Sequence, residues 1–160
     1  SSIKTNNKSS AYYTLLHEMG HVLGIGTLWL DNKLLSSGPW NTDNEYWNSD
    51  YTNALYIGSS AVREYQNYLF EKYGTAKSSI KGIPVEEDGG SGTAGGHIEE
   101  GDSSHKHRYF DGHKHAGLDH ELMTGWSESS TVPEPLSKVT VGMIEDLGYS
   151  VDYSKADAFL

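Results

Sequence analysis

Apolar positions recur at helical spacing in three stretches of the chain. Tyr12, Leu15, Leu16, Met19 and Leu23 form the first stripe, with the i, i+3, i+4 pattern of a helix that buries one face. Ser9 or Ser10 stands before it as an N-capping hydroxyl, and Gly24 and Gly26 follow it, glycine being the residue that readily closes a helix in the left-handed region. A second helix is predicted from Ser60 to Tyr73, with Ala61, Tyr65, Tyr68 and Leu69 inward and Gly74 as its stop. A third is predicted from about Pro135 to Leu147 on Leu136, Val139, Met143, Ile144 and Leu147, with Ser137 as N-cap and Gly148 just past the end. Residues 31–58 are rich in Asp, Asn, Ser, Gly and aromatics, and read as an irregular segment with a short hairpin. Ile83-Pro84-Val85 reads as a short extended piece, and a glycine-rich run from Asp88 ends in His97.

Composition narrows this picture. A chain of 160 residues suffices for one domain with a modest core. Only 36% of residues are hydrophobic and 18 are glycine, which suits a loop-rich α+β domain better than a tight bundle. A net charge of −10 argues against a nucleic-acid partner. With no cysteine there is no disulfide and no Cys-based zinc site, so any zinc must sit on histidine and carboxylate. No run is apolar for long enough to span a bilayer. The sequon Asn7-Lys8-Ser9 hints at a secreted route. Calcium is a weak second cofactor candidate, because the aspartates are scattered rather than set in a calcium-loop register.

The chemistry concentrates at His17-Glu18-Met19-Gly20-His21. Residues four apart on a helix share a face, so both imidazoles can grip one zinc ion. Glu18, one step round the helix, can work on a zinc-activated water as general base. A catalytic zinc takes a third protein ligand. The short metzincin pattern HExxHxxGxxH would put it at position 27, which here is Thr27, although the hinge glycine, Gly24, is in place.

Four stretches resemble the leishmanolysin family of metzincins, in which an insertion separates the glycine from the third histidine. They are His17 to Gly24; Val85-Glu86-Glu87-Asp88-Gly89-Gly90-Ser91-Gly92-Thr93-Ala94-Gly95-Gly96-His97; Glu121-Leu122-Met123 with Thr124 and Gly125; and Val139 to Tyr149, continuing through Tyr153 to Asp157. They run in the family's order and cover most of residues 11–158. The lack of cysteine looks more like microbial or viral relatives. The resemblance implies a metzincin-like catalytic domain. His97 would be the third zinc ligand, Met123 the Met-turn methionine beneath the site, and Trp126 a wall of the substrate pocket. The glycine run before His97 agrees, since it frees the backbone to reach a helix distant in sequence. The other histidines after position 90 lie in the next segment.

Residues 101–120 hold five of the eight histidines and look like an insertion relative to the family. His105, His107, His113 and His115 fall at i, i+2 spacings, which on a strand point to one side. They could form a second metal site with Asp102 or Asp111, but a solvated loop near the cleft explains a His-rich tract as well, and better on composition alone.

The expected function is zinc-dependent endopeptidase activity on peptide or protein substrates. Glu18 takes the water proton and passes one to the departing amine, and an extended substrate lies along an edge strand. The segments are then the active-site helix region (1–24), a loop-rich stretch (25–100), the insertion (101–120), and the Met-turn with the C-terminal helix (121–160). In metzincins the sheet precedes the zinc helix, which here begins within about ten residues of the start. The chain is therefore expected to be the C-terminal half of a catalytic domain that works with an upstream half, at a cell or particle surface or outside the cell by family resemblance. The rivals are a silent zinc-containing binding protein and a metal-binding protein that uses the insertion.

Overall fold

The computed structural model describes residues 8–36, 54–87, 89–90, 92–101, 115–129 and 132–159. Within them the chain is α+β. Helix α1 spans Ser10–Leu23, β1 Leu55–Tyr56, α2 Ser59–Tyr73, β2 Ile83–Pro84 and α3 Lys138–Asp146, with single 3₁₀ turns at Lys77–Ser79 and Tyr153–Lys155. No helix among the described residues is long and apolar enough to cross a membrane.

Strands β1 and β2 pair antiparallel, with Leu55 opposite Pro84 and Tyr56 opposite Ile83. Single bridges extend this ladder: Leu35 to Tyr56 on one side, then Val85 to Ile98 and Ile98 to Thr124 on the other. Extended segments far apart in sequence thus lie side by side, and the run beginning at Ile98 is held between 85 and 124. Most of the expected hairpin lies outside the described residues, but its two ends pair: Ser36 N–H donates to Leu55 O and Ile57 N–H to Leu34 O.

Helices α2 and α3 pack on each other through a close approach. A Cβ on Gly142 would stand 2.7 Å from the Ala61 backbone, so only glycine fits there. Helix α2 has no side-chain cap of its own, because its N-cap is Gly58. Asp146, at the end of α3, supplies one from the neighbouring element. Its carboxylate accepts from Ser60 N–H at 2.8 Å, Ala61 N–H at 3.1 Å and the Tyr56 hydroxyl at 3.1 Å. The core beneath includes Trp29, Tyr56, Tyr65, Leu69, Ile83, Ile98, Leu118, Met123 and Met143, all fully buried. The Tyr65 hydroxyl donates to Ala116 O. The expected inner face of α2 (Ala61, Tyr65, Tyr68, Leu69) is the buried one.

Two sequence expectations need correcting. The third helix begins at Lys138, not Pro135. Pro135 O accepts from Leu122 N–H and Leu136 N–H donates to Asp157, so both peptides are committed elsewhere before Ser137 caps the helix. The apolar stripe of α1 also does not all face inward. Tyr13 and Gly20 are buried and Leu16 packs on the core, whereas Tyr12, Leu15, Met19 and Val22 are exposed, Val22 at 86%. The helix is rotated by what its other side must meet: His17 reaches the Leu122 carbonyl, and Met123 packs where Gly20 has no side chain.

Candidate metal centre

Helix α1 carries His17 and His21 one turn apart, with ring centroids 4.7 Å from each other. Ser9 starts the helix by accepting from Tyr12 N–H, and Gly24 ends it at φ 115°. The chain then doubles back, with Ile25 N–H returning to Gly20 O. That turn aims the Ile25 carbonyl at His21, whose Nδ1 donates to it at 2.9 Å. Thr27, at the position where the short metzincin pattern has a histidine, donates its hydroxyl to His21 O at 3.0 Å and closes the same turn.

His97 arrives from the other side, at the end of the glycine run. Gly95 N–H donates to Glu86 O, Glu86 N–H to His97 O, and Ile98 N–H to Met123 O, so the backbone on both sides of the ring is fixed. The run comes close because Gly26, at φ 74°, lets it: a Cβ there would lie 2.1 Å from the Gly96 carbonyl oxygen.

The three rings share one arrangement. Each Nδ1 meets a backbone carbonyl, Leu122 O for His17 at 2.7 Å, Ile25 O for His21 at 2.9 Å and Thr93 O for His97 at 2.8 Å. A carbonyl can only accept, so Nδ1 carries a proton, and in the neutral ring Nε2 then keeps its lone pair. The three Nε2 atoms converge, at 2.9 Å (His17 to His21), 3.0 Å (His21 to His97) and 3.1 Å (His17 to His97). Burial pushes His97 down to about 4, with the neighbouring His21 and His17 adding to the effect. Burial lowers His21 too, with a further contribution from His17. His97 is therefore neutral near pH 7.

Three lone pairs aimed at one point repel one another unless a cation lies among them. Tetrahedral zinc with bonds of about 2.0–2.1 Å sets its nitrogen ligands roughly 3.3–3.4 Å apart. The observed spacing is only a few tenths of an ångström tighter, and neutral imidazoles with backbone-held Nδ1 protons are the donor set zinc takes. The fit is good. His17, His21 and His97 could hold the ion.

Met123 is buried against α1, and a Cβ on Gly20 would fall 2.7 Å from its sulfur. Glu18 is exposed, beside the two helix histidines. Trp126 is 38% exposed, and its indole N–H donates to the buried Glu86 carboxylate at 3.3 Å. Sequence reasoning passed over Gly20 and Gly26 as contact sites. The signal for Gly20 was a glycine inside a helix, which costs about 1 kcal/mol against alanine and so asks for a reason. It also passed over Glu86 and Glu121, which carried no signal apart from the motifs they sit in.

Of the four insertion histidines, His105, His107 and His113 lie outside the described residues, as do Asp102 and Asp111. His115 does not join the centre. It is buried, and its Nε2 accepts from Lys81 N–H at 3.1 Å, which commits that nitrogen to the backbone. A second group, Asp119, His120 and Glu128, also draws together. Both nitrogens of His120 face carboxylates, Glu128 at 2.7 Å and Asp119 at 3.3 Å.

No curated protein and no solved structure matches the chain. The leishmanolysin model (peptidase M8) aligns with residues 1–160, and the chain belongs to that family.

Proposed function

We propose that the chain carries the metal-binding and proton-transfer residues of a zinc-dependent endopeptidase, with His17, His21 and His97 as zinc ligands and Glu18 as general base. The family is one of zinc-dependent metalloproteases, whose substrates are peptides. The observation that carries the reading is the convergence of three Nε2 lone pairs within 3.1 Å, each ring oriented by a backbone carbonyl.

Zinc, when bound, supplies Lewis acidity that polarises a carbonyl and brings the pKa of water to about 7. The remaining work falls to the chain. The carbonyls of Leu122, Ile25 and Thr93 hold the imidazoles in one tautomer. Glu18, exposed next to the site, accepts the proton from the attacking water and delivers it to the departing amine. Gly24 is the hinge that turns the chain back under His21, and Met123 forms the apolar floor of a Met-turn. Trp126, held by Glu86, walls the pocket for a substrate side chain. The exposed apolar stripe Tyr12, Leu15, Met19 and Val22 supports an upstream half of the same protein lying over α1. Family membership favours a cell-surface or extracellular setting.

The test is cleavage of casein or gelatin by the zinc-loaded full-length protein, wild type against Glu18→Ala. Removal of a general base costs about 10²–10⁴-fold. If both forms hold one zinc and cleave equally, the proposed mechanism is wrong. If both hold zinc and neither cleaves, the chain is a silent zinc-binding protein. More than one tightly held zinc per chain, lost when the insertion histidines are replaced, favours a metal-storage role instead.

A further inference from the structure

We propose that Glu121 is a positioning residue for the metal centre, its buried carboxylate clamping the 121–124 turn to the N-terminus of α3 so that the turn can hold His17 and His97 in place. The inference rests on the metal-centre reading and concerns a residue outside the ligand set.

Glu121 is 1% exposed, and its carboxylate receives four hydrogen bonds. Oε1 accepts from Ser137 N–H at 3.0 Å, the Ser137 hydroxyl at 2.6 Å and the Thr140 hydroxyl at 2.6 Å. Oε2 accepts from Met123 N–H at 2.7 Å. One oxygen grips the first turn of α3 and the other grips the turn beside the site. Ser137 is also the α3 N-cap, accepting from Val139 and Thr140 N–H, so helix cap and carboxylate form one connected unit. A negative charge at a helix N-terminus is favourably placed.

The turn so gripped points three of its groups at the centre. Leu122 O accepts the proton on His17 Nδ1. Met123 O accepts from Ile98 N–H, the residue after His97. The Met123 side chain packs against Gly20, between His17 and His21 in the helix. Taking a carboxyl group out of water is costly, and a well-packed apolar side chain often serves stability as well or better. Burial indeed pushes the Glu121 carboxyl up, against the pull of its four donors. What an apolar residue could not do is fix the Met123 peptide relative to α3. A carbonyl such as Leu122 O acts on a metal through the ligand it orients, and loss of such outer contacts weakens metal binding about 10–100-fold. Glu121 stands one step further back.

The experiment compares zinc affinity, by competition with a chromogenic chelator at matched folded fraction, among wild type, Glu121→Gln and Asp146→Ala in the full chain. The Co²⁺-loaded absorption spectrum is the second readout. Asp146 ties α2 to α3 without touching the turn, so its variant controls for simple destabilisation. The expected result is a loss of about tenfold in zinc affinity and an altered Co²⁺ spectrum for Glu121→Gln, with neither in Asp146→Ala. Thr140→Val removes one donor to the clamp and decides the matter if Glu121→Gln does not fold; a smaller loss of zinc affinity is expected. Wild-type affinity and spectrum in the clamp variants overturn the proposal, as does an equal loss in Asp146→Ala. A wild-type chain that binds no zinc overturns the metal-centre reading itself, and this inference with it.

Discussion

Gly26→Ala puts a methyl group where the turn after α1 meets the glycine run before His97. Two costs follow from the geometry. The residue sits at φ 74°, a left-handed conformation that costs a side-chain-bearing residue about 1–2 kcal/mol. The new Cβ would also lie 2.1 Å from the Gly96 carbonyl oxygen, where real contacts are not found below 3.0 Å, so the two backbones must part by close to 1 Å. Overpacking of this kind costs about 1–3 kcal/mol, and the upper end applies because a backbone rather than a flexible side-chain end must yield. Gly74→Ala isolates the first cost: Gly74 is at φ 68° with open space around the Cβ position, and both variants gain the same small stabilisation from a stiffer unfolded chain. Urea denaturation should therefore show Gly26→Ala about 3 kcal/mol less stable than Gly74→Ala at equal m. Because Gly96 precedes His97, zinc affinity should fall about tenfold or more in Gly26→Ala alone. Equal stability loss in the two variants, or unchanged zinc affinity in Gly26→Ala, would refute the idea that the Gly26–Gly96 approach sets the third ligand.

Other expected outcomes follow from separate parts of the structure. His97→Ala should lose stoichiometric zinc, while His115→Ala, which removes an acceptor for Lys81 N–H away from the three-histidine cluster, should retain it in a metal assay on purified protein. In the metal-free chain, the unfolded state protonates His97 below its ordinary 6.5 while the folded state resists until about 4. The unfolded state thus binds more protons between those values, and stability should fall by about 3 kcal/mol from this residue as pH drops from 6.5 to 4. Chemical denaturation in chelator across that range checks it; stability unchanged or rising toward pH 4 in wild type relative to a His97→Ala reference would contradict the assignment. Asp146→Ala strips the α2 cap and leaves the Tyr56 hydroxyl without its carboxylate, at about 2–4 kcal/mol in thermal or urea unfolding.

The parts of this site that are legible in sequence are local ones. His17 and His21 can be paired because i, i+4 spacing is a property of any helix, and Gly24 because a chain stop has a residue type. The inner face of α2 reads correctly, and in α3 Val139 and Met143 are buried with Leu136, Ile144 and Leu147 packed on the core, although Val141, off that stripe, is buried too. Helix α1 misled because both of its sides carry apolar residues: periodicity fixes a helix, but not which side meets the core when Tyr12, Leu15 and Met19 compete with Tyr13 and Leu16. The oriented carbonyls of Leu122, Ile25 and Thr93 were invisible, since any residue supplies a backbone carbonyl. His97 stood out only through its glycine run and the family resemblance, because what brings it to α1 is a single bridge on each side of Ile98 and the approach of two glycines.

The spacing of the proposed ligands along the chain has a consequence of its own. His21 and His97 are 76 residues apart, in a protein without cysteine. An ion shared by them is a cross-link, and by the chain-entropy estimate for a covalent bridge, closing a loop of that size removes about 4–5 kcal/mol of freedom from the unfolded state. The same atom would then serve as reagent and as rivet. Chelation should do more than stop turnover: it should open the segment between residues 24 and 97 to nicking by other proteases, and a chain stripped of its ion would be marked for its own destruction.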